Sequence, residues 1–498
     1  MPCAEAVAVK DGRILKVGTN AEIRPLIGKN TRVVRLGGKT VLPGFIDTHV
    51  HVVDFGRLLM WLDLAGVGSI KEMQSRLKER LVKTAVGKWV VGRGWDDGRF
   101  VEKRLPNRFD LDAVAPSNPV ILYYQCGPVC VVNSRALELA GITKTTPNPS
   151  GGTIDKDPKT GEPSGVLRDA ATDLVFSKIP EPTFEELVEA SGLAVEKIVA
   201  AGITSIHWLA TSQVDLAVLQ TLLKKKQLPL RVYMVIPFGL LGKVPLDENL
   251  HDDFAKIGGV EVVADGYLSS GTAALFEPYA DDSKINGKLL CTPAELEATA
   301  QKIVKAGLQL VIHAMGDKAI DAALAALEAV EGQGRHRVDQ AALFNKDLLQ
   351  RAQKQKVILS VQPLVGASEF SVYSALEHLG KKRARWLYPL KTLFKKGVCV
   401  CGGSDCPMEP LNPLQAIQSA VAREFFPEEQ LTVDEALRMY TVNAAYASSE
   451  ETVKGSIEEG KLADFTVLSK NPHKVAPTKI RGIRVELAIV GGKIVYQR

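Results

Sequence analysis

No stretch of this chain is both long enough and apolar enough to suggest a membrane span. The longest uncharged run, residues 113 to 134, carries Pro116, Pro119 and Pro128 together with Ser117, Asn118 and Gln125, whereas a spanning helix needs about 20 consecutive, mostly apolar residues. An excess of one charge is also missing: 62 basic against 57 acidic residues leave +5. Basic runs such as Lys224 to Lys226 are short, so nothing marks a nucleic-acid partner. Cysteine is scarce. Seven residues, an odd number without disulfide-framework, CxxC or zinc-finger spacing, suit a reducing cytoplasm. The start, MPCAEAVAVKDGR, lacks a basic segment followed by an apolar one and gives no sign of secretion. What remains is ordinary globular composition, 46% hydrophobic and 24% charged over 498 residues. That is enough for two to three domains or one large barrel with attachments.

The most regular feature is a repeated join of amphipathic helix, glycine and short apolar strand, in KIVAAGITSIHWLA, KIVKAGLQLVIHAMGD and TLFKKGVCVCGGSD. Gly202, Gly307 and Gly397 stand where a helix ends in a left-handed residue. The continuous apolar runs after them predict strands buried on both faces of a parallel sheet. Thr183/Glu186, Thr292/Glu295 and Thr432/Glu435 have the capping-box spacing that starts a helix. Candidate parallel strands end near His51, Tyr124, His207, Asp265, His313, Gln340, Pro363 and Asp405, a count that suits a (β/α)8 TIM barrel. A doubly wound sheet also alternates helix and strand, but polar, metal-capable residues recur at the ends of several strands, where barrel enzymes place their sites. Residues 1–42 and 446–498 alternate apolar and polar, with hairpin-type turns at Asp11-Gly12 and Gly491-Gly492. They read as one small β-sandwich domain built from both chain ends, flanking a barrel over 43–445. The Gly-, Pro-, Asp- and Asn-rich stretch of about 87–180 reads as an inserted subdomain covering one barrel face.

Chemistry concentrates in a few segments. In PGFIDTHVHVVD, His49 and His51 lie two apart, so on a strand both imidazoles face one side and can reach one cation. His313 ends the strand of LQLVIHAMGD, and Asp405 follows the small-residue strand of VCVCGGSDCPMEP. Alone, the first reads as a core histidine and the second as a turn or N-cap aspartate. Glu261 and Asp265, four apart in VEVVADGYLSS, share a strand face, and Glu261 among valines is an expensive burial without a partner. Together, three histidines and an aspartate at strand ends form a mixed N/O set of the kind that holds a catalytic divalent ion.

PGFIDTHVH, HAMGD, GGSD and the tail GSIEEGKLADF resemble the amidohydrolase superfamily. The branch most resembled includes N-substituted formamide deformylase-like and N-acyl-D-amino-acid deacylase-like metal-dependent hydrolases. GRGWDDGRF, VVNSRALELAGI, ADGYLSSGTA and HRVDQA extend the resemblance over nearly the whole chain. It implies a metal-bearing barrel flanked by a β-sandwich, with His49, His51, His313 and Asp405 as ligands. Three positions depart from the pattern. The sixth-strand motif, usually closing in histidine, ends here in Asp339 and Gln340, so a second metal would lack a ligand. Glu261 replaces a lysine that is carbamylated in some similar proteins, and a carboxylate there can ligate directly. Gly127-Pro128 stands where the branch often has Gly-His. The chain also begins without the leading strand similar proteins commonly show, which reads as a short or misassigned N-terminus.

The resulting expectation is a cytoplasmic, metal-dependent enzyme that hydrolyses an amide, N-acyl or formamide C–N bond of a small-molecule substrate. One zinc ion is expected rather than two, with manganese or iron as substitutes, bound by His49, His51, His313, Asp405 and Glu261. Asp405 is expected to act as general base and then acid. Trp95, Asp96, His207, Asp265 and Gln340 are candidate substrate contacts. No nucleic-acid or membrane partner is expected, and a homo-oligomer is open. Two alternatives stand: a mononuclear aminohydrolase that deaminates ring amidines, and a metal-poor, non-catalytic scaffold.

Overall fold

The structure, a computed structural model, describes residues 4–125, 128–244, 254–330, 332 and 334–498. The chain divides into two compact units, Met1–Phe55 with Ser191–Arg498, and Gly56–Ala190. The first stretch supplies β1 (Ala6–Lys10), β2 (Arg13–Gly18), β3 (Thr40–Pro43) and β4 (Phe45–Val50). The second unit holds β5 (Leu62–Asp63), β6 (Val90–Trp95), β7 (Val120–Tyr124), β8 (Val129–Val132), β9 (Gly152–Lys156) and β10 (Pro163–Asp169). Next come β11 (Ile203–Leu209), β12 (Arg231–Pro237), β13 (Ala255–Val263), β14 (Gln309–Ala314), β15 (Arg337–Gln340), β16 (Ile358–Val361) and β17 (Cys399–Gly402). The C-terminal strands are β18 (Phe465–Leu468), β19 (Val485–Val490) and β20 (Lys493–Gln497).

Strands β4 and β11 to β17 form one eight-stranded parallel sheet in sequence order. Its two edges meet just beyond the strands, where Val50 pairs in parallel with Cys406. There Asp405 N–H donates to the His49 carbonyl at 2.8 Å and His51 N–H to the Cys406 carbonyl at 3.0 Å. This is the nearly closed TIM barrel the alternating elements predict. The local signals behave as expected: Gly202, Gly307 and Gly397 have φ of 82°, 74° and 72°. The capping boxes at Thr292 and Thr432 are formed, and Thr183 and Glu186 exchange both bonds. Every residue of β11 and β14 is buried, as strands covered on both faces must be.

One strand assignment is corrected. Tyr124 ends a strand of the second unit's sheet, and the remaining barrel strand is β12. The join before β12 carries no glycine, because Lys226 itself adopts the left-handed conformation at φ 56°, so the helix-glycine-strand pattern does not mark it. His207 therefore sits on the second barrel strand, not the third.

In the first unit, β3 joins β18, β19 and β20 in an antiparallel sheet drawn from both chain ends. The β1–β2 hairpin turns at Asp11 and Gly12, φ 50° and 77°, and packs Ile14 with Ala463 and Phe465. Arg231 on β12 anchors this region to the barrel through a buried pair with Asp464, Nε to Oδ2 2.7 Å. In the second unit a six-stranded sheet carries a core on each face. Alternation along β7 sends Val120 and Leu122 to one core and Ile121 to the other. Among the described residues no helix is long and apolar enough to cross a membrane.

Candidate active site

The barrel seam builds the site. His49 on β4 and His51 just past it follow the two-residue period of an extended chain. Closure of β17 onto β4 brings Asp405 beside them. Gly403 makes the approach possible, since a Cβ there would lie 2.6 Å from His49 Cβ and 2.7 Å from His49 N. The ligand atoms of His49, His51 and Asp405 all lie within 4.8 Å of one another, a set that could hold a metal ion. Asp405 Oδ1 is 3.3 Å from His51 Nε2 and 3.5 Å from His49 Nε2. The outer ring nitrogens are engaged elsewhere: His49 Nδ1 with Asp339 Oδ2 at 2.9 Å, and His51 Nδ1 with the Leu209 carbonyl at 3.1 Å. Such partners fix which nitrogen faces the cluster.

The electrostatics follow from burial. Burial pushes the Asp405 carboxyl up, but His51 and His49 outweigh it and hold the group below the usual carboxylate range. Burial disfavours charge on His51, yet Asp405 lifts its pKa to about 9. His313 is 5% exposed and is pushed down to about 4 by burial and by His49. Among the described residues neither ring nitrogen has a hydrogen-bond partner, and Nδ1 lies 3.9 Å from Asp265 Oδ1. An uncharged imidazole with no hydrogen bond at either nitrogen is a ready lone-pair donor, so the residues present fit a divalent cation. Glu261 stands outside the tight cluster but inside its field: burial raises its carboxyl, and His49 and His51 act to lower it.

The candidate substrate contacts have these surroundings. Trp95 is fully buried in the core of the second unit and donates from Nε1 to the Leu122 carbonyl at 2.9 Å. Asp96 accepts from Gly98 N–H at 3.0 Å and from Tyr124 OH at 3.1 Å. His207 is fully buried, with Nδ1 2.6 Å from Arg337 Nη1. Asp265 accepts backbone N–H bonds from Ala274, Met315 and Gly316 at 2.8–2.9 Å, tying the loop after β13 to the loop after β14. It is wholly buried, and burial raises its carboxyl to about 6. Gln340 is buried, and its Nε2 donates to Asp405 Oδ2 at 2.8 Å. Gln340 and Asp405 both adopt left-handed backbone, φ 65° and 57°, a conformation costly for such residues and concentrated at functional sites. Gly127 lies outside the described residues, and Pro128 precedes β8.

Sequence reasoning passed over Asp47, Arg337 and the use made of Asp339. Asp47 accepts from the N–H groups of His49 at 3.1 Å and Ser404 at 2.9 Å, bracing both sides of the seam. The available signal was spacing: Asp47 lies two before His49, and Arg337 two before Asp339.

Comparison with known proteins agrees with this fold. The N-substituted formamide deformylase of Arthrobacter pascens is 30% identical, covering 100% of this chain and 95% of the relative. Protein LONG AFTER FAR-RED 3 of Arabidopsis thaliana is 32% identical over 100% of this chain and 89% of its own. The crystal structure of an uncharacterized metal-dependent hydrolase from Pyrococcus furiosus superposes with a TM-score of 0.75 at 30% identity, covering 94% of this chain and 95% of that one. Residues 32–496 match the model of the amidohydrolase family, and the chain belongs to that family.

Proposed function

We propose that this protein hydrolyses a carbon–nitrogen bond of a small molecule, an amide, N-acyl or formamide linkage, with one divalent cation held by His49, His51 and Asp405. The cluster of these three ligands, at the C-terminal ends of barrel strands that also carry His313 with no hydrogen bond at either ring nitrogen, carries the reading. A cation bound there supplies acidification of a water molecule and polarisation of the substrate carbonyl, and zinc, manganese and iron all suit the N/O set. Asp405 accepts the proton of the attacking water at Oδ1 while Gln340 occupies Oδ2, then returns it to the leaving nitrogen. His313, uncharged near neutrality, serves as a further ligand or steadies the carbonyl oxygen. Glu261 is an additional ligand. One ion is favoured because Gln340 offers an amide, already bonded to Asp405, where similar proteins carry a histidine.

The deformylase relative makes formamides the first compounds to try, and the described cysteines, all free, suit the reducing compartment we assign to the protein. The test is metal content of untagged protein by plasma mass spectrometry, followed by a screen of N-acyl amines, formamides and ring amidines. About one divalent metal per chain with release of amine is expected. Ammonia from ring amidines would move the assignment to a deaminase. Neither metal nor turnover, even after incubation with zinc or manganese, would replace it with a scaffold.

A further inference from the structure

Strand β15 puts Arg337 and Asp339 two residues apart on one face, and both are fully buried. Arg337 reaches across the barrel interior. Its Nη1 lies 2.6 Å from His207 Nδ1 on β11, and its Nη2 donates to the Thr48 carbonyl on β4 at 3.2 Å. The same guanidinium donates from Nη2 to Asp339 Oδ2 at 3.1 Å and holds Nε 2.9 Å from Oδ1 as an ion pair without hydrogen-bond geometry. Asp339 Oδ2 in turn faces His49 Nδ1 at 2.9 Å.

The direction of each bond follows from the groups. A guanidinium only donates, so His207 Nδ1 accepts and that ring is neutral. An ion-paired carboxylate only accepts, so the proton between Asp339 and His49 sits on His49 Nδ1. His49 Nε2 is thereby the nitrogen presented to His51 and Asp405.

From this geometry we propose that Asp339 and Arg337 are positioning residues: Asp339 sets the tautomer and ring angle of His49, and Arg337, braced by His207 and the β4 backbone, sets Asp339. His207 then acts on His49 through Arg337 and Asp339, three contacts in series. Sidedness also follows, because His51 leans on a backbone carbonyl whereas His49 leans on a charged pair whose members come from a different strand. The inference rests on the metal reading of the cluster, but not on which bond is hydrolysed.

The test uses the full chain and zinc alone. Selective nitrogen-15 labelling of histidine, with His49 assigned by loss of its signal in His49→Asn, is expected to show Nδ1 protonated in the metal-free protein. Asp339→Asn is expected to weaken zinc binding, read by competition with a chromophoric chelator, by about 10- to 100-fold. Asp339→Glu, which keeps the charge, is expected to recover part of that loss. A His49 ring protonated at Nε2 with Nδ1 bare overturns the proposal, and so does a folded Asp339→Asn chain with unchanged zinc affinity. If the asparagine variant does not fold, the wild-type resonance decides. Expected tautomer and affinity without turnover of any amide would remove the proposed function and leave this inference standing.

Discussion

At the scale of single residues the site is a small set of opposed charges whose balance sets its chemistry. Asp405 stays below the ordinary carboxylate range because His51 and Gln340 stabilise its anion against the cost of burial. Gln340→Glu removes the 2.8 Å amide bond and puts a second negative charge in its place, which raises the Asp405 pKa. The acid limb of the kcat–pH profile is therefore expected to move to higher pH, with kcat at pH 7 falling about tenfold or more; an unmoved limb would mean that Asp405 is not the proton acceptor. His51, held at about 9 by Asp405 in the metal-free chain, has to give up its proton to become a ligand. Calorimetric zinc titrations at pH 7 in buffers of different ionisation enthalpy should therefore show about one proton released per ion. Zero release would show that His51 does not ligate.

Among the elements, the seam between β4 and β17 sets both barrel closure and ligand geometry. Gly403→Ala forces a methyl group against His49, and overpacking of this kind costs about 1–3 kcal/mol. Loss of stability and of zinc is expected together, read by denaturant midpoint and metal content; a stable variant with full metal would show that the seam yields without moving His49. Beneath the site a second cluster ties β11 and β13 to the segment after the last barrel helix. Lys454 Nζ donates to Ser205 Oγ at 2.7 Å and pairs with Glu450, which also meets Lys256 at 3.1 Å. Burial opposes charge on Glu450, but Lys454 and Lys256 outweigh it and hold the carboxyl at about 2, against 4.5 unperturbed. A depressed carboxylate pKa gives stability that is present above the unfolded value and lost as the pH falls toward the folded one. Glu450→Gln is therefore expected to be less stable at pH 7, with the gap closing between about 4.5 and about 2. A gap independent of pH would assign the effect to packing instead.

For the whole molecule, a resident cation is also a folding ligand. Binding to the native state alone stabilises by about 2.7 kcal/mol at a hundredfold excess over Kd. Chelation is expected to lower the denaturant midpoint of the purified protein reversibly, and zinc to restore it; identical midpoints would count against a metal held by this cluster. Much of the fold was legible in advance, because the joins at Gly202, Gly307 and Gly397 and the paired caps are local chemistry written in adjacent residues. His49, His51, His313 and Asp405 could be singled out for the same reason, from spacing and strand ends. Strand β12 was not, since Lys226 does the work of a glycine there. Nor could an apolar pentad such as Val120–Tyr124 show which sheet it joins, because its hydrophobicity is the same in either. What the sequence alone determined is therefore the kind of element and the kind of donor at each position, both set by interactions within a few residues. Only the tertiary structure decided which donors meet. His207 lies 130 residues from Arg337, and His49 lies 290 from Asp339. Closing the barrel makes those pairs neighbours, and at that range partnership depends on strand order and register rather than on residue type.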